Sequence, residues 1–207
     1  MAALKPSRAV RGTLLFGSVL CIMARSSLAQ TDVVFIDGGY PQMCSDAAKS
    51  IGAPDPNVTI TGSRLEVTPV AVCNRAIDDR ATSLLDLAAS YNNRGVIEFH
   101  DKDYAAALRD FARATALQPE LAAAWINQGY TLEVQQQWGP ALIAFDKGIA
   151  LGPPDPAKAY FNRGIVHEES GHVREAYYDY KQASALAPDW NEPKNELLRF
   201  RVKTGAK

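Results

Sequence analysis

The chain has 207 residues, 47% of them hydrophobic and 22% charged, with a formal net charge of −1. That length and apolar content suit one domain with a sizeable core and exclude a chain disordered in bulk. The balanced charge carries no basic nucleic-acid footprint, and three cysteines are too few for a disulfide scaffold or a Cys-rich zinc module.

Residues 1–29 read as a secretory signal peptide. Lys5, Arg8 and Arg11 make a positive start, Thr13 to Ala24 is an apolar stretch of twelve residues, and Ser27-Leu28-Ala29 puts small residues at the −3 and −1 positions of a cleavage site. Twelve helical residues span ~18 Å against a hydrocarbon core of ~30 Å, which argues against a membrane anchor. Leu20 before Cys21 does not suit a lipidation box, where a small residue stands. Cleavage after Ala29 leaves 18 basic and 23 acidic residues, a net charge of −5. The expected product is exported, without membrane insertion and without a nucleic-acid partner. It keeps two cysteines, Cys44 and Cys73. An oxidising compartment favours their pairing. A buried free pair and a redox couple are the alternatives, and the CxxC spacing of a redox couple is absent.

The segment 30–87 mixes signals. Pro41 to Ile51 has the character of a short helix. Pro54 to Val67, with Thr61-Gly62-Ser63 between NVTI and RLEV, reads as a small hairpin or an irregular loop. Asn57-Val58-Thr59 is a glycosylation sequon, relevant only in a eukaryotic secretory route. Thr68-Pro69 opens a predicted helix to about Asp79, with Cys73 on it, and a further helix is predicted from near Arg80.

From residue 88 the chain repeats. The segments 88–121, 122–156 and 157–190 align, the middle one carrying one extra residue in Gly152-Pro153-Pro154-Asp155-Pro156. Counted within each unit, position 4 is Tyr91, Trp125, Tyr160; position 8 is Gly95, Gly129, Gly164; and position 20 is Ala107, Ala141, Ala176. Position 24 is Phe111, Phe145, Tyr180; position 27 is Ala114, Gly148, Ala183; and position 32 is Pro119, Pro153, Pro188. Small residues at 8, 20 and 27 let two helices approach, aromatics at 4 and 24 fill the gap, and the proline ends each second helix. Such a unit cannot bury its apolar face alone, so neighbours must stack. Asp155-Pro156 offers an N-cap followed by proline at the first helical position.

This pattern resembles the tetratricopeptide repeat (TPR) family, over 88–190. The resemblance implies an all-α fold: a TPR α-solenoid of three antiparallel helix pairs, with a C-terminal capping helix and a disulfide-stapled N-terminal segment. Cys73-Asn74-Arg75-Ala76-Ile77 looks like the second half of a degenerate repeat, so 30–87 is expected to be a capping hairpin with an insert, closed by Cys44–Cys73. The last helix is predicted over about 189–203, with Asp189 and Glu192 as a capping box and the basic tail Arg199, Arg201, Lys203 and Lys207 at its C-terminal end. The sequence departs from the family at position 11 (Glu98, Leu132, His167) and position 7 (Arg94, Gln128, Arg163). Arginine at position 7 coincides with aspartate at position 23 in units one and three, which predicts Arg94–Asp110 and Arg163–Asp179 bridges.

No catalytic motif stands out. His167-Glu168-Glu169-Ser170-Gly171-His172 misses the H-E-x-x-H spacing by one residue and runs into a turn, so an exposed His/Glu turn is expected there. No nucleophile elbow, phosphate loop or dinucleotide fingerprint occurs, and neither a cofactor nor a metal is expected. In the TPR family the first helices line a concave groove through positions 2, 5, 6, 9, 12 and 13. The resemblance therefore places a peptide-binding groove at Asn92, Asn93, Val96, Ile126, Asn127, Tyr130, Lys158, Phe161, Asn162 and Ile165. The asparagine row at position 6 offers donor and acceptor to an extended backbone. Lys158 and Asn162 match part of the carboxylate clamp of some family members, but Asn92, Val96 and Ala123 do not complete it, and Glu133, Glu168 and Glu169 favour a neutral or basic segment. The layout resembles small exported TPR adaptors of Gram-negative bacteria. The expectation is a non-catalytic adaptor with a protein or peptide partner, in the periplasm or otherwise secreted. A structural subunit of an envelope complex, and a hydrolase built on 30–80, are the rival readings.

Overall fold

The computed structural model describes residues 39–49 and 68–200. The leader, the segment 50–67 with its sequon, and the tail residues Arg201, Lys203 and Lys207 lie outside the described residues. Those described fall within one compact unit and form nine helices, with no strand among them. They are α1 (Gly39–Lys49), α2 (Pro69–Asp78), α3 (Leu84–His100), α4 (Tyr104–Leu117), α5 (Ala122–Val134), α6 (Trp138–Ala150), α7 (Pro156–Glu169), α8 (Val173–Leu186) and α9 (Asn191–Leu197). Consecutive helices pair into hairpins α1–α2, α3–α4, α5–α6 and α7–α8. Each second helix also packs on the first helix of the next hairpin, and α3, α5 and α7 touch along one face.

The glycines at position 8 set the spacing within each hairpin. A Cβ on Gly95 would lie 2.7 Å from Phe111, one on Gly129 3.0 Å from Phe145, and one on Gly164 2.8 Å from Tyr180. Phe111, Phe145 and Tyr180 are buried, as are the alanines at position 20. Burying one such ring contributes roughly 2–3 kcal/mol. Gly148 does the same work from the second helix, where an added Cβ would come within 2.6 Å of Ile126.

Local signals place the helix ends. Thr68 caps α2 by accepting from the Ala71 N–H, and Asp155 caps α7 by accepting from the Lys158 N–H, each ahead of proline. The turns inside α3–α4, α5–α6 and α7–α8 need a left-handed residue, supplied by Lys102 (φ 65°), Gln136 (φ 59°) and Gly171 (φ 81°) at one repeat position. Two ends differ from expectation. Arg80 lies in a turn, and α3 starts only at Leu84, because Ser83 caps it through the Asp86 N–H. The Asp189/Glu192 capping box does not form. Trp190 is the N-cap of a shorter helix, without a side-chain cap bond, and its ring packs 4.8 Å from that of Phe161.

α9 behaves as the first helix of a further unit. At position 4, Trp125 Nε1 donates to the Pro119 carbonyl oxygen at 2.9 Å, and Lys194 in the same register donates to the Pro188 carbonyl oxygen. The N-terminal hairpin follows the pattern with one substitution. A disulfide joins Cys44 and Cys73, both fully buried, and packs with Ala76 and Ile97. Asn74 meets Arg94 as Asp146 meets Arg163, which puts Cys73 at position 24. A covalent bond thus replaces the ring that the other hairpins place there.

Candidate functional site

The first helices α3, α5 and α7 carry the residues of the expected groove. Their amides form a connected set: Asn127 Nδ2 donates to Asn92 Oδ1 at 2.9 Å, and Asn92 Nδ2 donates to Asn93 Oδ1 at 3.3 Å. This links α3 to α5 and leaves the three side chains half-buried. Asn162, Val96 and Ile165 are also half-buried, and Tyr130 is 40% exposed. Lys158 stands apart at the start of α7, paired with Asp155 at 2.9 Å. Ile126 is engaged inside its own hairpin against Gly148, and Phe161 between Tyr180 of its hairpin (5.5 Å) and Trp190 at the start of α9.

An aromatic cluster adjoins the amides. The Phe99 ring lies 5.1 Å from that of Tyr130 and 5.4 Å from that of Tyr104, joining α3, α4 and α5. Phe99 is at position 12 of its unit and Tyr130 at position 9 of the next. The same offset recurs at the other end of the array. Glu168, at position 12, accepts from Arg199 Nη2 at 2.7 Å, and Arg199 counts to position 9 of the unit that α9 begins. Glu168 also accepts from the Tyr180 hydroxyl at 2.9 Å. Arg199 was expected to act on a helix end; instead it bridges Glu168 and Glu196.

Between these two rungs the register puts Glu133 opposite Ile165, with Phe145 where unit three has Tyr180. Neither side chain has a donor. Glu133 Oε2 is buried and finds no hydrogen-bond partner among the described residues. Burial alone pushes this carboxyl up to about 7.

Position 7 binds helices together. Arg94 donates to Asp110 through Nε (2.6 Å) and Nη2 (2.8 Å), and through Nη1 to Asn74 of α2 at 2.6 Å. Arg163 repeats this, with Asp179 at 2.8 and 2.7 Å and Asp146 of α6 at 2.7 Å. Both predicted bridges are therefore present as bidentate forks. Unit two has Gln128 and Ala144 instead, and Gln128 Oε1 is buried without a partner. Glu98 sits beside the first fork. Its burial, then the Asp110 charge, push its carboxyl up to about 7.

The expected turn is exposed at Glu169, Gly171 and His172, but His167 does not share that exposure. His167 is half-buried, 3.8 Å from Asp179, and meets His172 edge-on with ring centroids 5.7 Å apart. Burial lowers the His167 pKa. No group of three metal-ligating side chains occurs among the described residues.

The sequence pattern described as Tetratricopeptide repeat matches residues 157–190. Tetratricopeptide repeat protein 36 of Xenopus tropicalis is 30% identical over 129 residues, covering 60% of this chain. The chain spans 64% of the length of that relative. Residues 157–190 thus match a tetratricopeptide repeat, and the chain is similar to tetratricopeptide repeat proteins over a longer stretch. Solved TPR structures share its fold. The Arabidopsis OM64 TPR domain superposes with a TM-score of 0.54 at 20% identity, over 56% of this chain and 96% of that domain. The first TPR of Spaghetti (RPAP3), bound to the HSP90 peptide SRMEEVD, gives 0.51 at 22% identity, over 54% of this chain and 87% of that one. The first TPR domain of human RPAP3 gives 0.52 at 22% identity, over 55% and 89%.

In this repeat array the asparagine row follows from repeat register, whereas the Phe99–Tyr104–Tyr130 cluster escaped sequence reasoning. Its one signal was an aromatic at position 12 of unit one, where units two and three have glutamate.

Proposed function

We propose that the face formed by α3, α5 and α7 binds a peptide segment or a protein surface, and that the chain is an exported, non-catalytic adaptor of the periplasm or cell envelope. The observation that carries this reading is the half-buried amide set Asn92–Asn93–Asn127, which lies on one face with the exposed Tyr130. Amides so placed offer an extended backbone both donors and acceptors, and the tyrosine adds amphipathic contact area. Export is supported by the positive, apolar and small-residue segments of 1–29. The absence of catalysis is supported by the engagement of the charged clusters in helix-to-helix contacts.

The charge of the face argues for a partner unlike that of one structural neighbour. The peptide SRMEEVD held by the RPAP3 domain is acidic towards its end. Here Glu133 and Glu169 stand on the face, while Glu168 already pairs with Arg199 and Lys158 with Asp155.

Replacing Asn127, Tyr130 and Asn162 together with alanine is expected to abolish crosslinking of partners from an envelope extract, read by mass spectrometry. A second reading has its own observation. Ile143 of α6 (62% exposed) and Val173 and Tyr178 of α8 (each 54%) leave apolar side chains on the second helices, as a structural subunit of a larger complex would. If Ile143→Glu with Tyr178→Glu loses the partners and the alanine triple keeps them, that second reading replaces the first.

A further inference from the structure

The three rungs between position 12 of one unit and position 9 of the next differ in kind. Phe99 with Tyr130 is an aromatic pair, and Glu168 with Arg199 is an ion pair. In the middle, Glu133 has an isoleucine opposite it in register and a buried oxygen without a donor. A buried carboxylate oxygen left unpaired is costly, and a donor brought to it gains what the isolated protein lacks. The chain itself displays the group that fits such a glutamate, since a guanidinium occupies the equivalent place at Glu168.

We propose that Glu133 receives a basic side chain, arginine above all, from a peptide bound along the first-helix face. This rests on the reading of that face as peptide-binding and names the chemistry it selects. The Glu133 oxygen is itself covered, but Tyr130 and Val134, which flank it along α5, are each 40% exposed, so an incoming side chain would enter beside them. Tyr130, one rung away and braced by Phe99, is exposed enough to receive the alkyl stem and the cation. Unionised, Glu133 accepts through its carbonyl oxygen; ionised, it pairs with the cation. An incoming guanidinium therefore draws it towards the ionised form.

The test is an NMR titration of the full chain with two synthetic peptides, Ac-Gly-Ala-Arg-Ala-Gly-amide and the same peptide with norleucine for arginine. The arginine peptide is expected to move the Tyr130, Phe99 and Asn127 signals with about tenfold tighter binding than its norleucine twin. Glu133→Gln is expected to erase that difference. Ile165→Arg, which supplies an internal guanidinium as Arg199 does, is expected to erase it too and to raise the melting temperature. Equal binding of the twins to the native chain, or an arginine preference kept in Glu133→Gln, overturns the assignment while the peptide-binding face stands. No signal change anywhere on the face with either peptide overturns both.

Discussion

At Arg94 one guanidinium holds three helices. Two of its N–H groups fork onto Asp110 and a third reaches Asn74 of the preceding hairpin. The Asp110 hydrogen bonds, ahead of the opposing burial, raise the Arg94 pKa and hold it charged. Asp110 is only 5% exposed, so Arg94→Ala strands a buried charge, at a cost of about 3–5 kcal/mol. Asp110→Ala strands a better-solvated arginine that keeps Asn74, and is expected to cost less. The two losses are expected to overlap by about 1–3 kcal/mol in urea unfolding of the double variant; simple additivity would count against the fork. Glu133 shows the opposite electrostatics, a carboxyl raised from 4.5 to about 7 by burial. The unfolded chain releases this proton near pH 4.5 and the folded chain holds it to about 7. Its contribution is therefore complete below pH 4.5 and falls away as pH rises through 7. Glu133→Gln is expected to match the native chain at pH 4 and to exceed it by about 1–2 kcal/mol at pH 8, a figure reduced for solvent screening of a partly exposed group. Thermal melts across that range check it.

At the scale of elements, the hairpins α3 to α8 were legible because each marker has one physical task. Glycine admits a neighbouring ring, the ring fills the gap, and proline stops the second helix. The hairpin α1–α2 was legible only in part, since cysteines stand where glycine and an aromatic would announce it. Its apolar cluster is small: Cys44, Cys73, Ala76 and Ile97, with Ala47, Ala48 and Val70 packed on it. Among the described residues no large ring belongs to that cluster, so the disulfide is expected to carry much of the hairpin's stability. The two cysteines are 29 residues apart, and closing such a loop stabilises by about 3–4 kcal/mol through the unfolded chain. Cys44→Ala with Cys73→Ala is expected to lose about that much in urea. Hydrogen exchange is expected to rise in α1 and α2 while α5 to α8 stay protected; uniform loss of protection would mean that the cap governs the whole array. The start of α9 was misread for a related reason. Asp189 and Glu192 satisfy a local capping pattern, but the Trp190 ring is held by Phe161, and a tertiary contact decided the helix start.

At the scale of the molecule, each hairpin packs mainly on the units beside it, so stability is a chain of neighbour couplings. The same property limits what sequence discloses about the site. Residues on one helix, such as the asparagine row, follow from register alone. The Phe99–Tyr130 stack and the lone Glu133 arise between hairpins, and a cross-hairpin offset becomes visible only where two rungs are seen in space. The last hairpin tests the coupling most directly, because among the described residues beyond α8 it has only α9 and the short segment to Phe200. Trp190 rests on Phe161, Phe200 lies 5.9 Å from the buried Tyr180, and Arg199 reaches Glu168. Trp190→Ala with Phe200→Ala removes both rings and keeps the ion pair. Full burial would make each truncation cost about 3–5 kcal/mol, and partial exposure of these rings brings the expected total down to about 2–4. If coupling runs between neighbours, native-state hydrogen exchange will show α7 and α8 opening at lower free energy while α3 and α4 keep theirs. An equal fall in all hairpins would instead make the array one cooperative block, and the first-helix face would then be as rigid at Glu133 as at Asn92.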